Sequence, residues 1–84
     1  MPLFMDVHER LPNGITGSYV EELHRKDVKV QQRRGVRYLR YWVDEGARKL
    51  FCLVEAPSVE AAAAVHREAH GLLADRIYQV QEGS

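Results

Sequence analysis

The sequence has a single cysteine, no apolar run long enough to span a membrane, and no excess of either charge. Cys52 alone cannot form an intramolecular disulfide, which fits the reducing cytoplasm. Residues 1–6 lack the charged and apolar segments of a signal peptide. Twelve Lys and Arg balance twelve Asp and Glu, which argues against nucleic acid or an anionic membrane as partner. We therefore expect a cytoplasmic protein with no nucleic-acid partner and no membrane partner.

The common catalytic signatures are also missing. The chain has no G-x-S-x-G, C-x-x-C or phosphate-binding glycine loop. Arg67 stands where the zincin motif has its general-base glutamate. An enzyme is therefore the less favoured interpretation.

Hydrophobic patterns predict the element order β-α-β-β-α-β. The predicted strands are Leu3–His8, Val36–Val43, Leu50–Glu55 and Ile77–Val80. Ser18, with Glu21 completing a capping box, is predicted to begin a helix that Gly35 ends, and Ser58 to begin a helix that runs to His70 and stops at Gly71. This order predicts one α+β, ferredoxin-like domain over residues 1–84, with a four-stranded antiparallel sheet and two helices on one face. An RNA-recognition motif shares the order, but residues 50–55 lack its glycines and aromatic spacing.

The sheet face opposite the helices has no covering layer. If Leu3, Met5 and Val7 face the helices, the alternating residues Phe4, Asp6 and His8 face outward. Further candidates for this outer face are Tyr38, Arg40 and Trp42. Because exposed aromatic patches of this kind are unusual on monomers, we expect a second copy to cover the face and form a homodimer.

Histidines are concentrated where a metal ion could bind. His66 and His70 lie four residues apart, which stacks both imidazoles on one face of a helix. His24 precedes Asp27 by one turn on the first helix, and His8 ends the first strand, where Asp6 could orient its ring. Imidazole and carboxylate suit nickel. The predicted metal ligands are His8, His24, Asp27, His66 and His70.

Several segments resemble a family of small bacterial nickel-binding proteins, whose domain was first catalogued as one of unknown function. The matching segments cover nearly the whole chain and are residues 5–8, 24–27, 35–42, 51–57 and 66–71. The resemblance implies a dimeric ferredoxin-like protein that binds nickel. It supplies no ligand list, so the ligands above depend on residue chemistry alone.

Each candidate residue also has a simpler interpretation. A histidine pair at this spacing is often a polar helix face or a buried imidazole bonded to the backbone, and His8 and His24 suit structural or interface roles. Asp27 suits a solvated helix position, and Cys52 a small core side chain. The alternative function is that of a small dimeric α/β-barrel enzyme, or of a domain that binds a small molecule near His24, Tyr38 and His66.

Overall fold

The computed structural model describes residues 1–83 and has the predicted order of strands and helices. Ser84, the last residue of the predicted domain, lies outside the described residues. The strands are β1 (Leu3–His8), β2 (Arg37–Asp44), β3 (Lys49–Glu55) and β4 (Arg76–Val80), and the helices are α1 (Gly17–Gln31) and α2 (Val59–Ala69). The strands form an antiparallel sheet in the order β2-β3-β1-β4. The prediction of a ferredoxin-like α+β fold is confirmed.

The helix ends follow local capping chemistry. The start of α1 differs from the prediction: the amide of Tyr19 donates to Oγ1 of Thr16 at 3.2 Å, so Thr16 is the N-cap and Ser18 lies inside the first turn. Threonine and serine are both good N-cap residues, so the sequence alone does not determine whether Thr16 or Ser18 begins the helix. Ser58 caps α2 as predicted. Within residues 1–83, neither helix has the length and apolar character needed to cross a membrane.

The first strand faces the opposite way from the expectation. Phe4, Asp6 and His8 point toward the helices and are buried, while Leu3 and Met5 line a groove on the open face. The sequence pattern does not determine this choice, because both faces of β1 carry large apolar residues. Asp6 can be buried because two polar groups hydrogen-bond to its carboxylate, the His66 ring from α2 and the Tyr38 hydroxyl from β2.

An irregularity in β2 explains the second departure. The pairing of β2 with β3 shifts between Tyr38 and Arg40, which leaves Leu39 as an extra residue in the strand. Tyr38 is therefore buried against the helices, while Arg40 and Trp42 line the groove on the open face. The expectation that Tyr38 could join the outer face is wrong for this reason.

The core lies between the inner sheet face and the two helices. Its apolar members from the helices include Val20 and Val65, and those from the sheet include Phe4 and Val54. One region of this interior is polar. Asp6, His8, Asp27 and His66 are each at most 3% exposed, which is unusual for ionisable side chains without a function.

Candidate metal centre

Five elements contribute to the polar cluster in the core. Its members are Asp6 and His8 of β1, Asp27 of α1, Tyr38 of β2, Cys52 of β3, and His66 and His70 of α2 and its C-cap. Asp6 is directly opposite Cys52 in the sheet, because β1 pairs with β3 in that register. The fold thus assembles side chains that lie up to 64 positions apart in the sequence (6 to 70).

His66 lies between two carboxylates. Its Nδ1 is 2.9 Å from Oδ1 of Asp27, and its Nε2 is 2.9 Å from Oδ2 of Asp6. The ring also stacks on Tyr38, with centroids 4.5 Å apart. Both ring nitrogens and one ring face are therefore fixed in position.

His70 supports this arrangement from the end of α2. The amide of Leu72 donates to Nδ1 of His70 at 3.0 Å, so that nitrogen carries no proton. The proton is then on Nε2, which lies 3.1 Å from Oδ1 of Asp27. His66 and His70 thus converge on the same oxygen of Asp27.

Tyr38 fixes the second carboxylate. Its hydroxyl lies 3.0 Å from Oδ2 of Asp6 and 3.0 Å from the carbonyl oxygen of Ala62, and both atoms are acceptors. Oδ2 of Asp6 therefore has two neighbours, Tyr38 and His66.

Three polar atoms of the cluster are buried without a hydrogen-bond partner among the described residues. They are Oδ1 of Asp6 and both ring nitrogens of His8. Nε2 of His8 lies 3.5 Å from Oδ1 of Asp6, which is ion-pair distance but too long for a good hydrogen bond. Unsatisfied buried groups are rare in native proteins and call for an explanation such as an ion or a water molecule.

All five residues predicted as ligands line one small cavity. Its volume is about 10 Å³, the space of roughly one water molecule. The polar lining residues are His8, His24, Asp27, Cys52, His66 and His70. His24 is only partly buried, as is His70, and the ring of His24 packs against that of Tyr41 with centroids 5.1 Å apart.

Two sets of donor atoms are close enough to hold an ion. In each set one ligand atom per residue lies within 4.8 Å of all the others. One set is Asp6, His8, Cys52 and His66, and the other is Asp27, His66 and His70. His24 belongs to neither set, so the structure brings it to the cavity but not to the donor groups. Two residues of the first set, Asp6 and His8, carry the three unpartnered atoms, and the mixture of nitrogen, oxygen and sulfur in this set fits a first-row transition metal.

Comparison with known proteins agrees with this chemistry. A family model described as nickel responsive protein SCO4226-like matches residues 4–80. The chain belongs to this family. A crystal structure of SCO4226 from Streptomyces coelicolor A3(2) is similar at a TM-score of 0.88 and 35% identity, covering 98% of this chain and 99% of that one. No curated protein matches the chain.

In this SCO4226-like protein the polar cluster also shifts the acidity of its members. Burial opposes the charged form of Asp6 and Asp27, but hydrogen bonds and attraction from the histidines outweigh burial and lower the pKa of both carboxyls. Burial likewise opposes the charged form of His66, yet its bonds to Asp27 and Asp6 raise the pKa of His66 to about 9. Both carboxylates are therefore ionised near neutral pH, and His66 is an imidazolium between them.

Burial and the nearby carboxylates act in the opposite sense on two other members. They raise the pKa of the Tyr38 hydroxyl and of the Cys52 thiol well above their ordinary values. Tyr38 therefore remains a hydrogen-bond donor to Asp6. Cys52 remains a thiol unless a bound cation displaces its proton.

Sequence reasoning missed the central position of Asp6 and the participation of Tyr38 and Cys52. Asp6 was expected to face outward and to orient His8, whereas it contacts His66 and Tyr38 in the interior. The available signal was the Asp6-x-His8 spacing, which puts both side chains on the same face of a strand. Asp27, for which a solvated position was the simpler interpretation, is buried.

Proposed function

We propose that this protein binds one nickel ion per chain through Asp6, His8 and His66 and thereby sequesters the metal. The observation that carries the proposal is the group of three buried, unpartnered atoms on Asp6 and His8. They lie beside His66, whose Nδ1 is hydrogen-bonded to the carboxylate of Asp27. Cys52 is within reach as a fourth donor.

The charge of the cluster supports a cation. Two ionised carboxylates, Asp6 and Asp27, surround one imidazolium, His66. Buried charges are costly unless they are paired, and a divalent cation that displaces the Nε2 proton of His66 would balance both carboxylates. Oδ1 of Asp6 is the carboxylate oxygen that has no hydrogen bond among the described residues.

Asp27 and His70 fit a supporting role better than direct ligation. Oδ1 of Asp27 already interacts with two histidine nitrogens, Nδ1 of His66 at 2.9 Å and Nε2 of His70 at 3.1 Å. A carboxylate in this position keeps the proton of His66 on Nδ1 and leaves Nε2 available to a metal, as in carboxylate–histidine–metal triads. We therefore propose Asp6 as a ligand in place of the predicted Asp27, with Asp27 and His70 supporting His66 and not binding the ion themselves.

Nickel is the metal we favour. Imidazole nitrogen with carboxylate oxygen binds nickel more tightly than cobalt or iron at most sites. The name of the family gives its members as nickel responsive, which agrees with that choice.

The size of the cavity favours an ion over an organic ligand. A volume of about 10 Å³ is far below the roughly 300–1,000 Å³ of small-molecule pockets. Tyr38, one of the residues suggested for a substrate pocket, is buried and stacked on His66. A closed site also suits retention of the metal. We propose the cytoplasm as the compartment because the single cysteine is free.

The proposal is tested by nickel titration of untagged protein in a calorimeter. The wild type should bind one ion per chain, and His8→Phe should lose most of that affinity. This variant keeps a ring of similar size and removes two nitrogens that have no partner in residues 1–83, so its fold should survive. Glu60→Gln, at an exposed position on α2, is the matched control and should bind like the wild type. Wild-type affinity in His8→Phe would remove the proposed site.

We also propose that the protein acts as a homodimer through the open sheet face. This face carries a groove of about 690 Å³ whose apolar lining includes Leu3, Met5, Trp42 and Leu53. Trp42 is 48% exposed. The groove is apolar with Arg40 and Glu82 within it, so a second copy related by a twofold axis could bring opposite charges together.

A further inference from the structure

His24 is a polar residue in the lining of the cavity of about 10 Å³, but it belongs to neither of the two sets of buried donor atoms. It shares this lining with His8, Cys52 and His66. No hydrogen bond joins its ring to another residue in the part of the chain that the structure describes. A histidine with free nitrogens at the edge of a donor cluster can bind a cation without belonging to the final site.

His24 lines this cavity and is partly exposed to solvent. The other polar side chains of the lining are buried: His8, Asp27, Cys52 and His66 are each at most 6% exposed, and the His70 side chain is 4% exposed. His24 is partly buried, as is Tyr41, against which its ring packs. His24 and Tyr41 are therefore two partly exposed residues of the lining whose rings contact each other.

The sheet register continues this route toward the buried donors. Tyr41 lies on the edge strand β2, directly opposite Cys52 on β3, and Cys52 lies directly opposite Asp6 on β1. On the helix side, Asp27 follows His24 by three residues and is buried. Tyr41, Cys52 and Asp6 are therefore neighbours across three strands, in order from the edge strand toward the centre of the cluster.

We propose that His24 is the entry ligand of the metal site: it binds a divalent cation from solvent and passes it to the buried donors, while Tyr41 holds its ring in place. This inference rests on the proposed function and adds a kinetic role to it. A transient ligand lowers the barrier for uptake and for release equally, so it changes both rates but not the equilibrium affinity. A permanent ligand would change the affinity itself.

The test is stopped-flow uptake of nickel chloride, followed by release to a chelator, with the equilibrium affinity measured separately by calorimetry. His24→Phe keeps a ring over the cavity and removes both nitrogens. We expect uptake and release to slow by the same factor, about tenfold, with an unchanged dissociation constant. Lys29→Ala, an exposed position on the same helix, is the control and should keep both wild-type rates.

A second variant separates ligation from simple coverage of the cavity. His24→Ala also removes the nitrogens but opens the entrance. If the ring acts only as a cover, His24→Phe will match the wild type and His24→Ala will be faster, and the inference is overturned. Weaker equilibrium binding by His24→Phe would also overturn it, because His24 would then belong to the final site. If the wild type binds no nickel, the proposed function itself fails, and that outcome is distinct from both of these.

Discussion

His66 donates a hydrogen bond from Nδ1 to Oδ1 of Asp27 over 2.9 Å. This bond joins the two helices inside the core and determines which nitrogen of His66 faces Asp6. Because Asp27 holds the Nδ1 proton, Nε2 is the nitrogen that a cation can reach once its own proton leaves. The acidity of His66 therefore links metal binding, pH and stability.

Nickel affinity should keep rising with pH to about pH 9. The pKa of His66 is raised to about 9 in the metal-free protein, so below that pH a cation must displace a proton from Nε2. The apparent affinity should increase up to about tenfold per pH unit between pH 7 and 9, with about one proton released per ion. Calorimetry in buffers of different ionisation enthalpy measures both quantities. A plateau already reached near pH 7 would exclude His66 as the titrating ligand.

Asp27→Asn should move this plateau to lower pH. The amide is the same size as the carboxyl but carries no charge, so the pKa of the His66 ring should fall in the variant. Above the plateau, where protons no longer compete, nickel affinity should drop by about tenfold or more because the ligand is less basic. NMR titration of the histidine ring protons checks the pKa directly. An unchanged His66 pKa would show that Asp27 does not control it.

Stability of the metal-free protein should decline on both sides of neutral pH. The pKa of His66 is about 9 in the folded chain against an ordinary value of 6.5, so its contribution is complete below about pH 6.5 and is lost as the pH rises through 9. The difference corresponds to about 3 kcal/mol. On the acid side, the lowered pKa values of Asp6 and Asp27 give stability that is lost as the pH falls below the ordinary value of 3.8.

Urea unfolding at several pH values measures this dependence. His8→Phe is the matched control, because it keeps His66 and both carboxylates and should show the same alkaline decline. A free energy of unfolding that stays constant between pH 7 and 9.5 would contradict the imidazolium between Asp6 and Asp27.

Trp42→Lys should disrupt the proposed dimer. The substitution puts a charge in the lining of the apolar groove, where a second copy would have to bury it. Sedimentation should give twice the 9.7 kDa chain mass for the wild type and the mass of a single chain for the variant. Tyr19→Lys removes an aromatic side chain of similar exposure from α1 and should remain dimeric. A wild-type monomer at micromolar concentration would rule out this interface.

The element order was predictable because local signals agree with one another. Ser58 and Gly71 mark the ends of α2, whereas Gly35 ends the 3₁₀ turn Gln32–Arg34 that follows α1. The strands between the helices are rich in apolar residues. The two errors in strand orientation have a different origin. The bulge at Leu39 reverses the alternation near the start of β2, and no residue type in the sequence marks it.

The site was predictable in part. His8, His24, Asp27, His66 and His70 do line one cavity, although His8 was expected on the outer face of the sheet and reaches the cavity because β1 faces the opposite way. The role of Asp6 was not predictable from polarity alone, because a buried carboxylate is stable only when partners such as Tyr38 and His66 reach it from other elements. Partners so distant in sequence are known only once the fold is known.

Anomalous diffraction at the nickel absorption edge locates the metal in a crystal, and we expect it inside the buried cluster. Crystals grown with nickel should show a strong anomalous peak inside the chain, about 2.0–2.3 Å from ligand atoms of Asp6, His8 and His66. A peak confined to surface side chains, with His66 still bonded to both Asp6 and Asp27, would rule out nickel binding by the buried cluster.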